Sequence, residues 1–124
     1  MTAAIRPSFR EQDFRKAFAS QPDKDCVRVA RKGSYVELRD DKTEFGSPED
    51  IRLVFTDAEF DEALAALRTT GAAHGTCLEI TTEGTTTYFR RAGEPAALAF
   101  TATEVEKFMT GVKAREFDAA AFAA

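Results

Sequence analysis

The chain repeats itself, and that limits its fold more than any other feature. Cys26-Val27-Arg28-Val29-Ala30-Arg31-Lys32-Gly33 aligns with Cys77-Leu78-Glu79-Ile80-Thr81-Thr82-Glu83-Gly84 at an offset of 51. Both segments alternate apolar and polar residues, the pattern of a half-buried strand, and each closes on a glycine where a hairpin would reverse. Tyr35-Val36-Glu37-Leu38-Arg39 and Thr86-Thr87-Tyr88-Phe89-Arg90 then supply a second strand rich in β-branched and aromatic residues. The match resumes at an offset of 45, where Leu53-Val54-Phe55-Thr56-Asp57-Ala58-Glu59 aligns with Leu98-Ala99-Phe100-Thr101-Ala102-Thr103-Glu104. Each is a short apolar strand ending in Phe, followed by a Thr-x-x-Glu capping box that opens a helix. Phe60, Ala63, Leu64 and Leu67 form the apolar stripe of the first helix; Val105, Phe108, Met109 and Val112 form that of the second.

These patterns predict an α+β fold made of two β-β-β-α repeats, each an antiparallel meander plus a helix, packed about a pseudo-two-fold axis. Repeat one runs over about 24–70 and repeat two over about 75–118. The linker Thr69-Thr70-Gly71-Ala72-Ala73-His74-Gly75 is too short to hold them apart, so 1–124 reads as a single domain. Residues 1–23 form an N-terminal arm. Ser8-Phe9-Arg10-Glu11 is a candidate capping box, and Phe14, Ala17 and Phe18 share a helical face, so a short helix ending before Pro22 is expected there, with an extended arm as the alternative. The tail 119–124 either extends the last helix or frays.

At 124 residues the chain is long enough to bury a core. It contains 11 Phe and no Trp, so that core is expected to be aromatic without buried indole N–H groups. A net charge of −4 argues against a free-standing duplex binder. The charge is uneven: residues 1–32 hold eight Lys/Arg against four Asp/Glu, and residues 40–62 hold nine Asp/Glu against two Lys/Arg. Two solvated faces are the plain reading; an acidic surface meeting a basic partner is the sharper one. No secretory leader and no membrane-length apolar run is visible, which predicts a cytoplasmic protein with both cysteines reduced.

Candidate chemistry is sparse. His74 is the sole histidine and lies in the Gly/Ala-rich linker without a visible partner. Cys26, Cys77 and His74 lack the paired spacings of a zinc site. The thiols occupy equivalent positions, opposite in strand phase to the valines; they read either as small buried strand residues or as a pair brought together by the pseudo-two-fold axis. Gly111 interrupts the last helix and marks either close packing or fraying. No catalytic, cofactor-binding or metal-binding residues are predicted, and no enzyme. Partner binding is placed on the acidic segment, at Asp40, Asp41, Glu44, Phe45, Glu49 and Asp50, most of it in the loop Thr43–Asp50 that repeat two lacks. A charged turn closing a strand is the plainer account of Asp40 and Asp41.

Several of these segments together resemble a known family. Phe14-Arg15-Lys16, Asp25-Cys26-Val27-Arg28-Val29-Ala30, Val36-Glu37-Leu38-Arg39-Asp40-Asp41-Lys42 and Val54-Phe55-Thr56-Asp57-Ala58-Glu59-Phe60 follow the motif order of the actinomycete domain of unknown function 397, the BldB-like family. Gly111-Val112-Lys113-Ala114-Arg115-Glu116-Phe117 resembles the Gly-Val-Lys-x-Gly-Glu-Phe ending of that family. The resemblance covers nearly the whole chain as two tandem units. Departures are the lone aromatic-Arg-Lys segment, Phe14 in place of the usual Trp, and the missing Gly-Val-Lys ending in repeat one. The resemblance implies an accessory regulator without catalysis that binds a helix-turn-helix transcription regulator, in a developmental or antitoxin-like role. It also implies self-association in some members, and only indirect contact with nucleic acid. The alternative is direct nucleic-acid binding through the basic N-terminal third, and a third reading is an enzyme or small-ligand carrier with a pocket between the repeats.

Overall fold

Two glycines place the first reversals. Gly33 and Gly84 stand at φ 62° and 61°, a left-handed conformation that costs glycine little and other residues more. In the computed structural model, which describes residues 7–18 and 27–122, each opens a two-residue turn between antiparallel strands. The first sheet has strands β1 (Val27–Lys32), β2 (Tyr35–Asp40) and β3 (Leu53–Thr56) in that order, and helix α1 (Asp57–Thr70) follows. The second has β4 (Leu78–Glu83), β5 (Thr86–Arg91) and β6 (Ala97–Thr101), followed by α2 (Ala102–Lys113). The registers are equivalent. Val29 faces Leu38 as Ile80 faces Phe89, and Val36 faces Phe55 as Thr87 faces Phe100.

Both helices start as the sequence predicts. Thr56 and Thr101 adopt the same extended conformation; each hydroxyl accepts the N–H of its N3 glutamate, 3.2 Å away in both halves, and Glu59 and Glu104 reach back to the cap N–H. Phe60, Ala63, Leu64 and Leu67 of α1 are buried. The corresponding stripe of α2 differs from expectation: Phe108 and Val112 are buried, but Val105 and Met109 are half-exposed beside an open groove.

A single apolar cluster runs through both halves. Phe55 and Phe100, the strand-ending phenylalanines, are both within it and almost fully buried. The aromatic expectation holds: Phe89 packs edge-on to Phe100 and Phe108 at 5.1 and 5.4 Å, and Phe117 stacks on Phe108 at 5.3 Å.

Reciprocal contacts join the halves about a pseudo-two-fold axis. Arg91, at the end of β5, donates to the Val54 carbonyl and to the Glu59 carboxylate and lies over the Phe55 ring. Lys42, just beyond β2, donates to the Ala99 carbonyl and to Glu104 and lies over Phe100. Val54, Phe55 and Glu59 are the counterparts of Ala99, Phe100 and Glu104. Each half thus sends one cation to the same three positions of the other. The Arg91 hydrogen bonds hold the Glu59 carboxyl at about 2. Burial raises the Glu104 carboxyl, but the hydrogen bond and charge of Lys42 together with the Thr101 hydrogen bonds outweigh it, and the net shift is downward.

The described part of the N-terminal arm, residues 7–18, is extended rather than α-helical, and the rest of the helix expected before Pro22 lies outside the described residues. One 3-10 turn at Glu11–Asp13 gives way to a bridge in which Arg15 and Val29 exchange both backbone hydrogen bonds, at 2.7 and 2.8 Å. Phe14 and Ala17 are buried while Phe18 is exposed, because pairing with the β1 edge satisfies the backbone that a helix would have bonded internally. Ala17 lands on Gly111. A Cβ there would come within 2.8 Å of both the Ala17 Cβ and the Phe117 ring, so Gly111 marks close packing rather than fraying. The tail does not extend α2. The chain turns at Ala114 and Arg115 and forms a separate short helix, α3 (Ala119–Phe122).

Candidate functional site

The loop after β2 is braced from within. The Arg39 Nε donates to the Asp50 carboxylate at 2.9 Å and its Nη2 to the Thr43 carbonyl at 2.7 Å. Arg52 binds the other Asp50 oxygen at 2.7 Å and Glu37 at 3.0 Å. The Gly46 N–H also donates to Asp50, at 2.8 Å. Burial alone would raise the Asp50 carboxyl; hydrogen bonds from Arg52, Gly46 and Arg39 outweigh it and hold it at about 2. Phe45 packs edge-on to Phe14 at 6.0 Å, with the Arg52 guanidinium 4.5 Å from its ring centre and that of Arg39 at 5.3 Å. Asp40 accepts from Lys42, and Asp41 from Arg28.

Four of the six residues predicted to meet a partner, Asp40, Asp41, Phe45 and Asp50, are therefore engaged within the chain. Glu44 and Glu49 remain exposed. The acidity of this segment is mostly answered by Arg28, Arg39, Lys42 and Arg52, three of which lie outside the basic N-terminal run. The sequence shows the charges but not that they cancel.

Most of the described basic side chains of the N-terminal third are also engaged within the chain. Arg28 pairs with Asp41, Arg31 with Asp57 and Asp61, and Lys32 with Asp13. Arg15 donates to the Ala121 carbonyl and lies over Phe122. Cys77 is half-buried just ahead of β4, and its thiol donates to Glu59 at 3.3 Å. That carboxylate pushes the thiol above its ordinary value, which keeps it protonated and unreactive at neutral pH. Cys26 lies outside the described residues. No cluster of three or more His, Cys, Asp or Glu suited to a metal ion occurs among the described residues, and no helix there is long and apolar enough to cross a membrane.

What the sequence does not reveal is a groove of about 690 Å³ in the second half. The end of α1, the linker, β4 and α2 enclose it, and Leu67, Leu78, Ile80, Val105 and Met109 give it an apolar floor. His74 stands at its rim, exposed. The equivalent place in the first half is filled. There the arm covers the β1 edge at Val29, and Arg31 spans from the Phe60 ring to the Phe117 carbonyl at the end of the other half. Accordingly Val29, Phe60 and Leu64 are buried, whereas their counterparts Ile80, Val105 and Met109 are partly open. Only the repeat makes this visible, since the helical stripes look alike in sequence.

No family model matches the chain, and no curated protein or solved structure matches it either.

Proposed function

We propose that this chain is a non-catalytic accessory regulator that works by protein–protein contact and seats its partner in the open groove of the second half. The carrying observation is the asymmetry of two otherwise equivalent sites: one is filled by the chain's own segments, and the other is left apolar and open. An apolar concavity with a few polar groups at its rim is the ordinary form of a binding site.

The nature of the partner rests on the resemblance to the BldB-like family, which points to a helix-turn-helix transcription regulator. One feature supports that resemblance. Arg115 takes the place of the second glycine in the family's Gly-Val-Lys-x-Gly-Glu-Phe ending, and it is the one non-glycine residue with positive φ among the described residues, at 62°. Its N–H bonds the Val112 carbonyl and the Glu116 N–H bonds the Gly111 carbonyl, a helix end that ordinarily takes glycine at this position. The exposed Glu44 and Glu49 add a smaller electrostatic contribution, steering a basic partner. Direct DNA binding is the weaker reading, because the described basic side chains of β1 are already paired.

Capture from the native cell followed by mass spectrometry tests the function. A helix-turn-helix regulator retained by the wild type and lost with Met109→Asp is the expected result. Retention of no such regulator, or a salt-sensitive shift of random duplex DNA by the chain alone, would overturn it.

A further inference from the structure

We infer that the outer edge of β4 takes up an extended segment of the partner protein as a fourth strand of the second sheet, the segment carrying an apolar side chain flanked by Lys or Arg. The inference rests on the reading that the second half is the docking face, and it specifies the mode of docking and the chemistry of what docks.

The first half displays the arrangement already. Val29 bonds Arg15 through both its N–H and its C=O, so both groups point away from β2. Ile80 occupies the same register against β5 that Val29 occupies against β2. Antiparallel strands direct the backbone groups of alternate residues to opposite sides, so the N–H and C=O of Ile80 point out from the sheet, as do those of Thr82. β4 is an edge strand, and no described residue pairs with it on that side. An edge of this kind is a template for strand addition, in which main-chain hydrogen bonds give affinity and pockets for alternate side chains give specificity. Here the pocket is at hand: Ile80 both carries the outward backbone groups and lines the groove.

Charge selects the occupant. Arg28 and Lys32 of β1 are each answered by a carboxylate, from Asp41 and Asp13. Their counterparts on β4 are Glu79 and Glu83, both exposed and without an ion pair among the described residues. These carboxylates disfavour a second copy of this chain, because antiparallel pairing of β4 with itself about Thr81 sets Glu79 opposite Glu83, and like charges directly opposite repel. A basic segment meets no such penalty. The chain's own arm, Phe14-Arg15-Lys16-Ala17, which takes the equivalent place on β1, sets two basic residues between two apolar ones.

The test uses the isotope-labelled full chain and an acetylated peptide copying residues 14–18, Phe-Arg-Lys-Ala-Phe. Amide shifts at Glu79–Thr82 and a methyl shift at Met109 are expected. Replacing Arg and Lys of the peptide by Glu should weaken binding about tenfold, equivalent to about 1.4 kcal/mol. Thr82→Pro removes an outward N–H at a place where edge strands tolerate proline, and should weaken it by a similar factor. If Thr82→Pro lowers the melting temperature, the double variant Glu79→Lys with Glu83→Lys reads the charge preference instead, and should then favour the glutamate peptide. Shifts that map away from β4, or equal binding of the basic and acidic peptides, would overturn the inference. So would sedimentation of the free chain as a dimer that the charge-reversed variant disperses. The two readings fail separately. A captured regulator that leaves the Ile80 amide unprotected against exchange sinks strand addition alone, whereas a peptide seated on β4 with no regulator captured sinks the regulator reading alone.

Discussion

The two halves of this chain share strand order, register and capping boxes, yet they bury themselves differently. In the first half, β1 is covered at its edge by the N-terminal arm, α1 is covered by Arg31, and the loop after β2 is cross-braced through Asp50. In the second half, β4 has no covering strand among the described residues, α2 shows Val105 and Met109, and the connection from β5 to β6 is short. Duplication supplies a fold with two equivalent faces. The arm, Arg31 and the longer loop after β2 then close one of them, and the other is left open.

The broadest way to break the comparison is acid, because it acts on both halves together. Asp50 and Glu59 are held at about 2 in the folded chain, and Glu104 is held below its ordinary value. Their folded values lie below the unfolded ones, so protons bind the unfolded chain more readily. The stability they contribute is full above the ordinary carboxylate range, and it is lost as pH falls from about 4 toward about 2. Denaturant midpoints across that window should fall steadily; a flat profile would contradict the ion-pair assignments.

Asp50→Ala removes the brace from the first half alone. It takes the shortest ion pair from the fully buried Arg39, which keeps Asp41 at 3.8 Å and the Thr43 carbonyl, removes half of the Arg52 contacts, and should cost about 3 kcal/mol. Arg90, the counterpart of Arg39, reaches only the Thr81 hydroxyl and the Tyr88 ring, so Arg90→Ala should stay within about 0.5 kcal/mol. Equal costs in denaturant unfolding would erase the asymmetry. Gly111→Ala tests the seam where arm and second half meet. The clash with Ala17 and Phe117 should cost about 1–3 kcal/mol, exceeding the helix-propensity gain of about 1. An alanine more stable than the glycine would show that the arm is not seated there. Arg115→Gly runs the other way. Relief of its left-handed backbone should raise stability by about 1 kcal/mol, and a loss would show that the Arg115 contact with Asp118 outweighs the strain.

The repeat was legible because its signals are local. Thr56–Glu59 and Thr101–Glu104, the turn glycines, and the alternation around Val29 and Ile80 each act within a few residues. Sequence leaves the arm between a helix and an extended strand because Phe14, Ala17 and Phe18 fit a helical period, and only pairing with Val29 decides for the extended form over the described residues. Charge was legible as composition and not as pairing: Arg39 with Asp50 and Lys42 with Glu104 are settled by tertiary placement. The groove was illegible for the same reason. Met109 and Leu64 look equivalent on their helices, and what separates them is which one the rest of the chain covers.

Groove and loop make competing claims on the partner, and one titration separates them. Binding of the captured regulator is measured for the wild type, for Met109→Asp, and for the double variant Glu44→Lys with Glu49→Lys, at moderate salt. A loss of at least about tenfold for Met109→Asp and a change within about twofold for the loop variant is the predicted result. A loop variant that abolishes binding while Met109→Asp binds like the wild type would contradict the assignment of the open second-half groove as the docking face.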